Sequence, residues 1–201
     1  MKKRSLPAFT NWCLAVVTLL FAFTSHAQYS PITITGFNHD VIAEGTNSSL
    51  STTSIPMDGV GVSNKVMYSE NFRSVNGISG GGIPDNGIFT GAFGSFQFAP
   101  YSGNNALLLQ RNETGDINVA VPAKFYRLRM AALSTEGPSQ LNVTLHFTDG
   151  SSTQALTTYV LSDWFNGNTN VVAQGIGRVT RLASVVPSDA GSFPSNPRIY
   201  Y

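Results

Sequence analysis

Between Lys124 and Phe165 the chain runs through three segments in which polar and apolar side chains alternate, and a period of two is the signature of a strand with one covered face. In the first, Phe125, Arg127, Arg129 and Ala131 alternate with Tyr126, Leu128, Met130 and Ala132. In the second, Leu141, Val143, Leu145 and Phe147 point one way and Asn142, Thr144, His146 and Thr148 the other. Asp149-Gly150 then supplies the residue with positive φ that a tight hairpin needs, and Thr153 to Leu161 returns rich in β-branched side chains before an Asp163-Trp164-Phe165 triplet. This stretch is expected to form the centre of an antiparallel sheet around which the rest of the chain is arranged.

The N-terminus has the three parts of a secretory signal: basic Lys2, Lys3 and Arg4, an apolar run from Cys13 to Phe23, and small residues in Ser25-His26-Ala27 where a signal peptidase cuts. The apolar run falls short of the roughly 20 residues of a membrane span, so cleavage after Ala27 is expected, with no span left afterwards. Residues 28–201 then make one domain destined for the extracellular space, the cell surface or the periplasm. Losing three cations leaves 9 basic residues against 11 acidic ones, a formal net charge of −2, which argues against nucleic-acid binding. The only cysteine, Cys13, leaves with the signal, so no disulfide or thiolate metal site remains and stability has to come from a packed core.

From Gln28 onward no helical pattern stands out. Short runs at Ile32–Thr35, Asp40–Ala43, Lys65–Tyr68, Ser95–Phe98, Ala106–Gln110, Ile117–Val121, Arg178–Ala183 and Arg198–Tyr201 are separated by Gly, Asn, Ser and Pro. Strands this short, with turn signals every ten or so residues, predict an all-β, antiparallel β-sandwich of jelly-roll type. Asn71–Gly94, with its Gly80-Gly81-Gly82 run, and Asn166–Gly177 read as long loops. The terminal Pro197-Arg198-Ile199-Tyr200-Tyr201 reads as the opening of a strand, which suggests a module of a longer secreted protein.

The run from Tyr126 through Asp149-Gly150 to Asp163-Trp164 resembles the galactose-binding-like jelly rolls of secreted bacterial glycoside hydrolases and of multidomain surface proteins of Bacteroidetes type. Residues Gly82-Ile83-Pro84-Asp85-Asn86-Gly87 and the run from Tyr101 to Leu109 look like the upstream part of the same module. This chain departs from that pattern in carrying Phe147-Thr148 before the Asp-Gly turn and Ser152-Thr153 after it, and it has no ligand motif of the family. The resemblance implies the fold and a place beside other domains.

Sugar faces stack on aromatic rings while carboxylate and amide oxygens accept from hydroxyls, so Asp163, Trp164 and Phe165 form one candidate ligand site. Their bland role is to cap a core. Tyr101, Asn104, Asn105 and Arg111 form a second candidate, with turn stabilisation as the alternative role of the two asparagines. Asp85, Asn86, Asp116 and Asp189 lie in Gly- and Ser-containing loops of the kind that supply oxygens to a structural calcium ion. No other cofactor is implied.

Catalysis has thinner support. Gly77-Ile78-Ser79-Gly80-Gly81 fits the spacing of a nucleophile elbow, but the glycine run and Pro84 leave no room for the helix that motif requires. His39 and His146 read as surface histidines, and no two carboxylates are placed for glycoside hydrolysis. The expected function is that of a non-catalytic carbohydrate-binding or accessory module. Its partners would be a carbohydrate or cell-surface glycan and further domains of a longer chain. The alternatives are a structural or adhesive cell-surface module without a sugar site and, third, a small secreted hydrolase.

Overall fold

The computed structural model describes residues 29–58, 63–91, 93–167, 169–184 and 188–201; the expected signal segment lies outside them. In chain order the described elements are β1 (Ile34–Thr35), β2 (Ile42–Ala43), α1 (Ser49–Thr52), β3 (Lys65–Tyr68), α2 (Glu70–Val75), β4 (Ile88–Gly91), β5 (Gly94–Gln97), β6 (Asn118–Val119), β7 (Ser139–His146), β8 (Ser152–Leu161), β9 (Val171–Gln174), β10 (Val179–Thr180) and β11 (Arg198–Tyr200). Strands dominate and the two helices are short, which makes the fold all-β in character.

The organising strand is β3. It pairs in parallel with β2, Ile42 opposite Met67 and Ala43 opposite Tyr68, and antiparallel with β10, Val66 opposite Val179. Both faces of this small sheet are covered. Ile42 and Met67 belong to a core with Val41, Ile83, Tyr101, Trp164, Ala173, Ile176 and Ile199, whereas Ala43, Val66, Tyr68, Phe72 and Val179 form a second. A strand buried on both sides needs no polar alternation, and Val66-Met67-Tyr68 shows none. Tyr68 is held at its far end: its hydroxyl donates to the Gly80 carbonyl at 2.9 Å. Gly81 and Gly177, both at positive φ, crowd that hydroxyl so closely that a Cβ on either would collide with it.

The remaining sheets are two-stranded: β1 with β6, β4 with β5, β9 with β11 and β7 with β8, all antiparallel. These sheets are small and unclosed. The alternating stretch is therefore not the centre of the molecule. The β7–β8 hairpin forms as its pattern predicts, closed by a turn in which the Phe147 N–H donates to the Ser151 carbonyl at 2.9 Å, but β8 is exposed through Val160 and the core lies elsewhere. The first of the three segments makes no strand. Phe125 to Ala131 stays outside any ladder, with Tyr126 99% exposed, and only Ala132 and Ser134 make single bridges, to Tyr200 and Asp163. Arg129 accounts for part of this: its guanidinium lies over the Tyr29 and Tyr201 rings and donates to the Phe93 carbonyl, which ties the segment to residues far away in sequence and not to β7.

Two expected loops contain regular structure. Asn71–Gly94 holds most of α2 and all of β4, and Asn166–Gly177 holds β9. Ser69 starts α2 by accepting from the Phe72 N–H at 3.1 Å, and Phe72 is the one residue the helix buries. Six residues are too few to show a helical period. Ala106–Gln110, expected as a strand, contributes only the bridge between His39 and Ala106. The last strand, β11, pairs with β9 and buries Ile199 and Tyr200. Among the described residues no helix is long and apolar enough to cross a membrane.

Candidate functional site

Asp163, Trp164 and Phe165 sit together, but not as an open sugar platform. Trp164 is 2% exposed, in the first core beside Ile83 and Ile199. Phe165 meets its ring edge-on at 6.0 Å between centroids. Arg178 covers both rings, with its guanidinium carbon 5.1 Å from the Trp164 centroid and 4.1 Å from that of Phe165. That arginine donates to Asp189 at 2.6 Å and lies 3.8 Å from the fully buried Asp58. Asp163 is equally committed: Oδ2 accepts from the Gly137 N–H at 2.7 Å and Oδ1 from the Phe165 N–H at 2.8 Å, so the carboxylate ties two turns together. The triplet builds a corner of the core, with Trp164 buried and Phe165 half-buried beneath Arg178.

The second set is also split. Tyr101 is buried, and its hydroxyl donates to the Pro84 carbonyl at 2.6 Å. Burial first, then the neighbouring Asp85 and Glu70 carboxylates, raise its phenol above the ordinary value. Asn105 is buried too: its Oδ1 accepts from the Val41 N–H at 3.0 Å and its Nδ2 donates to Asp40 at 2.7 Å, clamping the start of β2. Asn104 donates to the Phe37 carbonyl at 3.3 Å, and Arg111 is exposed in a separate turn.

The four candidate metal ligands do not converge. Asp189 is paired with Arg178; Asp116 lies in an exposed loop; Asp85 Oδ1 accepts from the Asn71 N–H at 2.8 Å and Asn86 Oδ1 from the Ile88 N–H at 2.9 Å. Among the described residues there is no group of three His, Cys, Asp or Glu side chains able to hold a metal ion. The Gly77–Gly81 run follows α2 and leads into irregular backbone, so it lacks the strand-to-helix turn of a nucleophile elbow. His39 faces the Ser54 hydroxyl at 3.3 Å, and His146 is exposed at the end of β7.

What the chain does assemble is a groove of about 450 Å³ that draws one residue from the ligand candidates and two from the metal candidates. Residues 31–34 and Phe37 form one wall; residues 85–87 and 97–101 form the other. The second wall is braced from within, since the Phe98 N–H donates to the Gly87 carbonyl at 2.8 Å and Gln97 Nε2 to the Asn86 carbonyl at 3.1 Å. Phe98 is in turn packed edge-on against Phe89 at 5.3 Å. Among the described residues, Asp85 Oδ2 and Gln97 Oε1 accept no hydrogen bond from the protein and Asn86 Nδ2 donates none, and all three side chains are exposed. Among the described residues the lining holds no lysine or arginine, and its one full charge is the Asp85 carboxylate.

Phe37, Gln97 and Phe98 were not singled out by the sequence. The Pro84–Gly87 turn and the Phe98-Ala99-Pro100-Tyr101 run flag a structured loop, but nothing local says that residues 31–37 will face them. No family model matches the chain, and no curated protein or solved structure matches it either. The functional reading therefore rests on these residues.

Proposed function

We propose that this protein is a secreted, non-catalytic recognition module, built on a jelly-roll-like β framework, that takes a neutral polyhydroxylated ligand such as a cell-surface carbohydrate into the groove between residues 31–37 and 97–101. The observation that carries the reading is the composition of that groove. Its volume of about 450 Å³ suits one or two sugar rings. Its walls are largely apolar, and its three unspent polar groups comprise a carboxylate and an amide oxygen that accept and an amide NH2 that donates. With Asp85 alone and no cation in the lining, an anionic ligand would meet repulsion without a counter-charge. Asp85 is also the only carboxylate there, which favours binding over a two-carboxylate hydrolysis. Further domains of a longer extracellular chain would bring the module to its target.

A panel of neutral and acidic oligosaccharides, titrated calorimetrically against the protein and its Gln97→Ala and Asn86→Ala variants, tests this. Saturable heat with neutral members only, weakened at least about tenfold in either variant, is expected, since a lost ligand hydrogen bond is worth about 1.4 kcal/mol or more here. Silence across the panel would refute the sugar reading. It would favour a structural or adhesive module, which the exposed apolar side chains Val121, Phe125, Tyr126 and Leu128 support independently.

A further inference from the structure

The β7 strand has an edge that nothing among the described residues covers. Its hydrogen-bonded neighbour is β8 on one side only, and no backbone bond outside that ladder reaches residues 139–146. Exposed edges are normally blunted by charges, prolines or bulges. Here the irregularities fall on the other strand: in passing from Leu141 to Val143 the register moves from Tyr159 to Leu156, and from Val143 to Thr144 it moves from Leu156 to Gln154, so the extra residues belong to β8. β7 itself is an eight-residue run, Ser139-Gln140-Leu141-Asn142-Val143-Thr144-Leu145-His146, with no proline, lysine, arginine or carboxylate. One of its faces carries half-buried Leu141, Val143 and Leu145, while Gln140, Asn142, Thr144 and His146 are exposed on the other.

We infer that this edge is a self-association surface, on which the β7 strand of a second copy of this chain pairs antiparallel about a two-fold axis at Val143. The alternation sets the parity of the register, and of the even choices only an axis at Val143 pairs Leu141, Val143 and Leu145 entirely with one another. Directly opposed residues of an antiparallel pair share a face, so the apolar faces of both copies coincide only where the summed residue numbers are even. Centring the axis on Val143 sets Val143 against its own copy, Leu141 against Leu145 and Asn142 against Thr144, with Gln140 against His146. A shift of one residue would lay the apolar side chains against polar ones, Leu145 against Asn142 or Gln140 and Leu141 against His146 or Thr144. The result is a continuous four-stranded sheet, and its extended apolar face includes Tyr159 and Leu156 from each β8. An isologous contact sets each residue against the one equally far on the other side of the axis, and here every such pair joins side chains of one class, apolar with apolar and polar with polar. A partner protein with its own strand could use the same backbone groups, but a pattern that reads the same in both directions about Val143, with no charge at the axis, is what self-pairing in particular requires.

Sedimentation of the purified chain, with Val143→Lys and Val143→Cys variants, tests the assignment. The unmodified chain is expected to sediment as a dimer. Val143→Lys, which opposes two ammonium groups at the axis, is expected to sediment at half that mass while Trp164 fluorescence stays as blue-shifted as in the parent, reporting an intact core. Under mild oxidation Val143→Cys is expected to form a covalent dimer and Gln140→Cys is not, because only residue 143 faces itself. A monomeric parent at the highest soluble concentration, a dimer that Val143→Lys leaves intact, or equal cross-linking at 140 and 143 would each overturn the proposal. Should Val143→Lys lose its folded fluorescence, the pair of cysteine variants decides alone.

Discussion

If Asp163 is a brace and not a ligand group, its removal is read in stability. The carboxylate accepts from two backbone N–H groups, Gly137 at 2.7 Å and Phe165 at 2.8 Å, and takes no part in the groove. A hydrogen bond to a charged group is worth about 1.5–3 kcal/mol, and both donors belong to half-buried residues where water compensates in part, so the lower end of that range applies to each. Asp163→Ala should then cost about 3 kcal/mol. Asp163→Asn keeps one acceptor and turns an NH2 toward the other donor, and should cost about half as much. Against the roughly 5–15 kcal/mol that stabilises a domain of this kind, both losses are easily resolved. The assay is urea unfolding followed by the fluorescence of Trp164; the other tryptophan, Trp12, lies in the expected signal segment. The Tyr200 hydroxyl donates to the Asp163 carbonyl at 2.8 Å, a bond that both variants keep, so the slope of the transition should not change. A loss within about 0.5 kcal/mol for Asp163→Ala, the range of an ordinary surface substitution, would refute the bracing role.

Other substitutions probe the frame around the groove. Asn105→Ala strands the Val41 N–H in the core and should cost about 1–3 kcal/mol by the same unfolding assay; a neutral result would mean that β2 is held by other contacts. Burial, the largest influence on Asp40, raises its carboxyl above 3.8 in the folded state although Asn105 and the Ile42 N–H donate to it. The native protein therefore binds this proton more readily than the unfolded chain, and stability falls as pH rises from the unfolded value through the folded one. Asp40→Asn should remove that fall; a difference from the parent that is the same at every pH would contradict it. Asp149 is the opposite case, held below 3.8 chiefly by the Ser151 hydroxyl at 2.6 Å, so its stabilising contribution is present above 3.8 and fades as pH drops through the folded value. Ser151→Ala should move the Asp149 titration, followed by carboxyl NMR, back toward 3.8; an unmoved curve would show that the turn backbone alone sets it.

The sequence announces strands best where one face is polar. β7 and β8 were legible because their side chains alternate and an Asp-Gly pair marks the turn between them, yet that same one-sidedness belongs to a hairpin at the periphery. The organising strand, β3, was found as a run but not in its importance, because Val66, Met67 and Tyr68 are buried on both faces and alternation vanishes there. Phe125 to Ala132 carries a good strand pattern and makes none, since Arg129 is claimed by Tyr29, Tyr201 and the Phe93 carbonyl, partners too distant in sequence to foresee. At the candidate site the difficulty is the same. Whether Trp164 is a platform or a plug depends on Arg178 and Ile199 closing over it, and whether Asp85 and Asn86 face a ligand depends on residues 31–37 coming opposite. Residue types pointed to aromatic-plus-amide recognition; only long-range packing separates the groove from the core.

The most direct test of the account maps the ligand onto the chain. Backbone amide shifts of the isotopically labelled protein, followed during titration with neutral oligosaccharides, should move in a saturable way within residues 31–37, 85–87 and 97–101 and remain still at Asp163, Trp164 and Phe165. Shifts centred on the Asp-Trp-Phe corner, or none at any concentration, would contradict it.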